Sequence, residues 1–231
     1  MKILVTAAER EELDCAIAAY GELKEKIGNT VEMVFKLTGI GATQACYTVT
    51  RETMLGVADG KPYDLVVNIG IAGSYNMDKF PMGSAAVIER EYFGDLGFKT
   101  EKGFTDLFQY GILGKDDFPY TNGSLERKPL PYTNMENALL KYGKGTGVTV
   151  QCVTGDSETT RSLIDKYSPD IESMEGAAVY FVSLMENIPF FELRTVSNEV
   201  GEKDKGKWDI PAALASLHRC CLEIFESLHT L

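Results

Sequence analysis

Short apolar runs alternate with stretches of helical spacing along almost the whole chain, and that rhythm restricts the fold more than any other feature. Residues 2–7, 31–38, 64–68, 84–91, 147–153 and 190–196 read as strands. Between them apolar residues recur every three or four positions, as Leu13, Ile17 and Tyr20 do within 9–20. Parallel strands need crossovers of about this length, and helices supply them. The pattern predicts a mostly parallel α/β sheet in one domain covering residues 1–231.

One stretch, 172–201, carries more local information than the rest. A strand end precedes Glu175, and Gly176, Ala177 and Ala178 open a helix. That helix must stop near residue 187. Pro189 lacks a backbone donor, and the residue before a proline avoids helical angles. Residues 190–196 then form an apolar strand whose carboxyl end carries Ser197, Asn198 and Glu199. Ligands in open α/β sheets bind beyond the carboxyl ends of strands. Glu175 and Asn198 are therefore the first candidates for chemistry.

Similar junctions recur upstream. Residues 2–7 run into Glu9, Glu11 and Glu12, an acidic first turn that the helix dipole also favours on structural grounds alone. Gly39-Ile40-Gly41 precedes a helix over about 42–57, but Gln44 occupies the third glycine position of a dinucleotide fingerprint. The strand at 64–68 opens into Gly70-Ile71-Ala72-Gly73-Ser74, where glycines let a ligand or a neighbouring strand approach closely. A strand over 147–153 leads to Thr154-Gly155-Asp156 and a helix over 157–167. Residues 92–133 break the rhythm with glycine, proline and many aromatics, Phe104, Phe108 and Tyr120 among them. Long irregular connections are usually functional, so this insertion is expected to be a lid or a subunit contact.

Several classes are disfavoured by composition. A formal charge of −11 argues against nucleic acid or an anionic membrane surface as partner. No apolar run is long enough to span a bilayer, and the N-terminal run is too short for a signal peptide. Five cysteines without CxxC spacing point to reduced thiols in a cytoplasm. The two histidines fall together near the C-terminus, which makes a Ser-His-Asp triad or a histidine-ligated metal improbable.

Taken together, Met174-Glu175-Gly176-Ala177-Ala178, Ile188-Pro189-Phe190 and Arg194-Thr195-Val196-Ser197-Asn198 resemble the nucleoside phosphorylase and nucleosidase superfamily. Thr38-Gly39-Ile40-Gly41, Asn68-Ile69-Gly70-Ile71-Ala72-Gly73 and Val153-Thr154-Gly155-Asp156 follow that family's order, so the resemblance covers most of the chain. Glu172-Ser173-Met174-Glu175-Gly176, Asp95-Leu96-Gly97 and Trp208-Asp209-Ile210 are most similar to the branch that hydrolyses futalosine on an alternative menaquinone route. The resemblance implies a three-layer sandwich with a mixed, mostly parallel central sheet. It implies release of hypoxanthine by water, with no metal and no cofactor, by a homodimer or larger homo-oligomer acting on a small nucleoside.

It also implies roles. Breaking a purine N-glycosidic bond builds positive charge on the ribose and negative charge on the base. A carboxylate against the ribose hydroxyls supports that transition state, and Glu175 is implied there, with Met174 against the sugar face. The competing structural reading is a carboxylate neutralised by Arg194 or capping a helix. Adenine-specific relatives carry Asp where this chain has Asn198. An amide can donate to the 6-oxo group of hypoxanthine and accept from a protonated ring nitrogen, although Asn198 could instead serve as a turn residue bonded to its own backbone. Asn cannot act as a general acid. Where phosphorylases place a phosphate-gripping turn, this chain has Glu9, Arg10, Glu11 and Glu12, which would repel a dianion but could activate water. Glu12 matches the nucleosidase pattern best, and Glu9 and Glu11 remain open. Ile71, Ala72, Gly73, Val153, Thr154 and Ser197 are implied to line the substrate. Lys203, Lys205, Lys207 and Arg127 are candidates for a distal carboxylate. An adenine-type nucleosidase and a non-catalytic nucleoside binder are the alternatives.

Overall fold

The computed structural model describes residues 1–101 and 103–230. Residues 102 and 231, which the expected single domain spans and the first of which falls in the expected insertion, lie outside the described residues. In chain order the elements are β1 (Lys2–Ala7), α1 (Arg10–Ile27), β2 (Glu32–Leu37), α2 (Ala42–Ala58), β3 (Leu65–Ser74) and β4 (Ala85–Phe93). The short strands β5 (Gly97–Thr100), β6 (Gly103–Asp106) and β7 (Leu125–Glu126) fall within 92–133, followed by α3 (Thr133–Leu139) and β8 (Gly143–Thr149). Then come α4 (Ser157–Tyr167), β9 (Ile171–Ser173), α5 (Gly176–Met185), β10 (Phe190–Glu199) and α6 (Ile210–Glu226).

The main sheet is mixed, in the order β10-β4-β8-β9-β3-β1-β2, and β3 also pairs with β10. The β1–β2, β1–β3, β3–β10, β4–β8 and β8–β9 pairings are parallel; β4–β10, β3–β9 and β4–β7 are antiparallel. The sheet therefore differs from the flat middle layer of a three-layer sandwich. Through the β3–β10 pairing, β10, β4, β8, β9 and β3 close into a ring, and β1 and β2 extend from it. Closure follows from the length of β3: Leu65 to Asn68 pair with β1, while Gly73 and Ser74 turn the same edge to β9. Irregularities between Val196 and Asn198 in β10 and between Ile88 and Arg90 in β4 add local bend.

Side-chain alternation along β1 divides the core. Ile3, Val5 and Ala7 pack with Leu13, Ala16 and Ala19 of α1 and with Leu217, Ile224 and Phe225 of α6. Leu4 points the other way, into a cluster with Val66, Ala45 and Val49 of α2, and Ala177 and Val179 of α5. The apolar stripe of α1 is longer than 9–20 suggests, and the helix runs to Ile27. At the end of α5, Asn187 takes a left-handed conformation (φ 51°) and Pro189 follows, so the helix stops where the proline requires. Three strands run further than expected, β4 to Phe93 among them, and β8 lies four residues earlier than 147–153. Gly70 to Gly73 continue β3 instead of opening a loop, and Ser197 to Glu199 continue β10.

Candidate active site

The N-terminus of α1, the ends of β3, β9 and β10, and the start of α5 meet around a cavity of about 430 Å³. Glu12, Ile71, Ala72, Gly73, Val153, Met174, Glu175, Ser197 and Asn198 all line it. Thr154 does not. It faces the adjacent cavity, where Val153 is shared, and its N–H donates to Glu172 Oε1 at 3.0 Å.

Glu12 is in the first turn of α1, and its position there follows from local sequence. Its Oε2 accepts from the Glu9 N–H at 2.9 Å, one half of a capping box. Its Oε1 accepts from the Ile71 N–H of β3 at 2.8 Å. These bonds fold the carboxylate inward, so Glu12 is buried whereas Glu9 and Glu11 on the same turn are exposed. Burial raises the Glu12 carboxyl above its ordinary range, against the opposing pull of Arg194 and the two N–H donors.

Glu175 is the residue before α5. Its Oε1 accepts from the Gly41 N–H at 2.9 Å, and its Oε2 lies 3.7 Å from Arg194 Nη2. Arg194 comes from β10 and is 1% exposed. Its Nε donates to Glu192 Oε1 at 2.6 Å, while Nη2 has no hydrogen-bond partner among the described residues. Burial opposes its charge, but Glu192, Glu175 and Glu12 outweigh that cost and hold the guanidinium protonated. Gly70 supplies the room: any side chain there would collide with the Arg194 guanidinium and the Glu12 carboxylate. Glu12 and Glu175 thus line the cavity, with Arg194 buried behind and between them.

Asn198 occupies the far end, in strand conformation beside the β10 irregularity and not in a turn. Its Oδ1 is 2.8 Å from the Ser197 hydroxyl, which lies 3.2 Å from the Ala72 carbonyl and donates to one of them at a time. Its Nδ2 donates to the Glu199 carbonyl at 3.0 Å. These bonds hold the amide to its neighbours. Glu172 stands beside this end, with Oε2 accepting from the Tyr75 hydroxyl. Trp208, Ile210 and Leu214 form an apolar wall toward Glu9 and Glu11.

The proposed distal-carboxylate cations lie elsewhere. Arg127 is buried between Glu89 and Glu136, at 2.8 and 3.0 Å, and Lys207 pairs with Glu202 at 2.6 Å. None of Arg127, Lys203, Lys205 or Lys207 lines the cavity. Arg194 meets Glu175 as the structural reading of the sequence supposed, while its approach to Glu12 and the N–H groups of Gly41 and Ile71 escape sequence reading because tertiary packing aims them. Glu192 and Arg194, two charges within an otherwise apolar strand, are the sequence signal of this buried pair. Among the described residues no cluster of His, Cys, Asp and Glu could hold a metal ion.

A ring-closed mixed sheet with two buried carboxylates lining an enclosed cavity defines an α/β protein with an acidic small-molecule site. The family model described as "Phosphorylase superfamily" matches residues 17–227. The chain is 30% identical to the futalosine hydrolase of Streptomyces coelicolor over 94% of its own length and 92% of that protein's. It is 28% identical to a 5'-methylthioadenosine/S-adenosylhomocysteine nucleosidase of Maridesulfovibrio salexigens over 87% of each. Its fold matches the structure of Helicobacter pylori futalosine hydrolase with a TM-score of 0.77 at 18% identity, covering 100% of this chain and 98% of that one. The chain belongs to the phosphorylase superfamily and, within it, to the futalosine hydrolase family.

Proposed function

We propose that this chain hydrolyses the N-glycosidic bond of futalosine, giving hypoxanthine and dehypoxanthine futalosine for menaquinone biosynthesis. One observation carries the chemistry: Glu12 and Glu175, with Arg194 buried between them, line one cavity together with Ser197 and Asn198. The S. coelicolor relative supplies the substrate.

In this reading Glu175 grips the ribose hydroxyls and Met174 packs against the sugar. Negative charge there offsets the cation-like ribose as the bond to the base breaks. Glu12 takes a proton from the attacking water. A carboxylate raised by burial is a stronger base than an exposed one, which suits that task. Arg194, buried behind the two acids, holds them in place through its charge. Asn198 rotates from its local partners to donate to the 6-oxo group and to accept from the protonated ring nitrogen. Ile71, Ala72, Gly73, Val153 and Ser197 enclose sugar and base, and Thr154 acts from behind through Glu172.

The assay is incubation of the purified protein with futalosine while free hypoxanthine is followed. Release of hypoxanthine is expected, and turnover confined to adenine nucleosides would overturn the reading. That second outcome is the adenine-type activity borne by the M. salexigens relative; Asn198, an amide where protonation of adenine calls for an acid, counts against it.

The whole chain, 1–231, is read as one domain working in a homodimer or larger homo-oligomer. Exposed Tyr47, Met54 and Val57 on α2, with half-exposed Ile40 and Val153 at the cavity rim, favour a second copy there. Sedimentation at working concentration tests it, and a monomer would refute it. Five cysteines without a disulfide suit a cytoplasmic setting, and among the described residues no helix is long and apolar enough to cross a membrane.

A further inference from the structure

Behind Glu175 lie two more carboxylates that the reaction does not use. Glu91 on β4 and Glu192 on β10 are both fully buried. Each has one oxygen accounted for: Glu91 Oε2 accepts from the Thr149 hydroxyl at 2.9 Å, and Glu192 Oε1 accepts from Arg194 Nε. Each has one oxygen without a partner, Glu91 Oε1 and Glu192 Oε2. Those two orphaned atoms converge. A Cβ on Gly176 would lie 2.5 Å from Glu91 Oε1 and 2.6 Å from Glu192 Oε2. Gly147, the register partner of Glu91 on β8, clears the other side of the same oxygen. The two glycines thus leave room for a pair of acids to face one another.

We infer that Glu91 and Glu192 share a single proton in the space left by Gly147 and Gly176, and that this acid pair positions Arg194 between Glu12 and Glu175. One proton gives both oxygens a partner, whereas two ionised carboxylates would leave Glu91 Oε1 with no donor and Glu192 Oε2 with at most the Asn68 amide, beside a second negative charge. Charge balance points the same way. Glu12, Glu91, Glu175 and Glu192 surround one guanidinium, and a fully ionised set would bury a net negative charge that nothing offsets. Burial, and then Glu192, hold the Glu91 carboxyl well above its ordinary range; burial also raises Glu192, although Arg194 opposes it.

The groups facing the pair come from every packed element. They are Arg194 on β10, Glu175 at the start of α5, Tyr180 on α5, Thr149 on β8 and Asn68 on β3, with Glu12 beyond Arg194. Arg194 is the sole cation in contact with the pair among the described residues. Loss of the shared proton adds a second negative charge beside Glu192 and draws Arg194 away from Glu175 and Glu12. Glu91 and Glu192 are positioning residues, and the consequence for turnover rests on the reading of Glu175 given above.

Infrared spectroscopy of the ligand-free protein tests the proton itself, whatever the substrate. Wild type at neutral pH is expected to show the C=O stretch of a buried protonated carboxyl, sensitive to D2O. Glu91→Gln removes the band, because its amide donates to Glu192 in place of the proton, and Glu12→Gln retains it. Glu91→Asp is a second variant that draws the oxygens apart and moves the loss of the band to lower pH. No band at neutral pH, or one that survives Glu91→Gln, overturns the shared proton. The pH profile of kcat tests positioning: wild type loses turnover at alkaline pH as the pair ionises, and Glu91→Gln abolishes that limb. An identical alkaline limb in Glu91→Gln overturns the positioning role.

Discussion

Asn198 lies opposite Gly73 in the β10–β3 register, and its Nδ2 comes within 3.3 Å of the place a Cβ on residue 73 would take. The same Cβ would meet Val200 Cγ2 at 2.9 Å. The glycine therefore makes space for the amide to turn. Gly73→Ala is expected to lower kcat/KM roughly 10- to 100-fold, because small misplacements of a binding group are costly in rate. Steady-state kinetics checks this, and unchanged kcat/KM would show that Asn198 does not move.

Asn198→Asp changes the donor at the base end into an acceptor. Hypoxanthine nucleosides should weaken relative to adenine ones, because a carboxylate repels the 6-oxo group that the amide nitrogen serves. Competing the two substrates in one reaction measures the ratio, and a constant ratio contradicts the assignment of Asn198 to the base.

Glu175→Gln keeps the bond from the Gly41 N–H and removes the charge. Turnover should fall about 100-fold or more, the usual cost of losing one preorganised charge at a transition state. The melting temperature should move little, since Arg194 keeps Glu192 as its partner. Wild-type turnover in a folded Glu175→Gln protein would mean that the residue is a structural cap.

Glu12 must be ionised to act as a base, so activity should fall as pH drops through its raised value. The acidic limb of kcat/KM should then lie above about 4.3, the ordinary Glu value. Glu12→Gln should remove both activity and limb. A limb at the ordinary carboxylate value would contradict Glu12 as the base.

Stability should respond to the same burial. The carboxyls of Glu12, Glu91 and Glu192 are raised in the fold, so between about 4.3 and their raised values the folded state binds more protons than the unfolded one. Their contribution is complete below that window and is lost as pH rises through it. Melting temperature followed from about pH 5 to about pH 9 should fall more steeply in wild type than in Glu91→Gln, and parallel curves would refute the link.

Local chemistry made much of the fold legible. Pro189 ends α5, the apolar runs become strands, and the first turn of α1 carries its acids inward or outward according to helical spacing. The alternating pattern is insensitive to where a strand stops, so the extension of β3 through Gly73 and of β10 through Glu199 went unread. Residues 92–133 were legible only as a break in the rhythm, although β5, β6 and β7 lie in it.

By itself, then, the sequence determined the α/β class, the order of the elements and the residues offered at their ends, because propensity, helical spacing and proline act over a few residues. Tertiary structure decided which charges meet. Arg194, Glu192 and Glu91 are far apart in the chain or hidden in apolar runs, and only the closure of β3 onto β10 and the bare backbones of Gly70, Gly147 and Gly176 bring them to Glu12 and Glu175. Pairing between distant strands sets those distances, and no local rule encodes it.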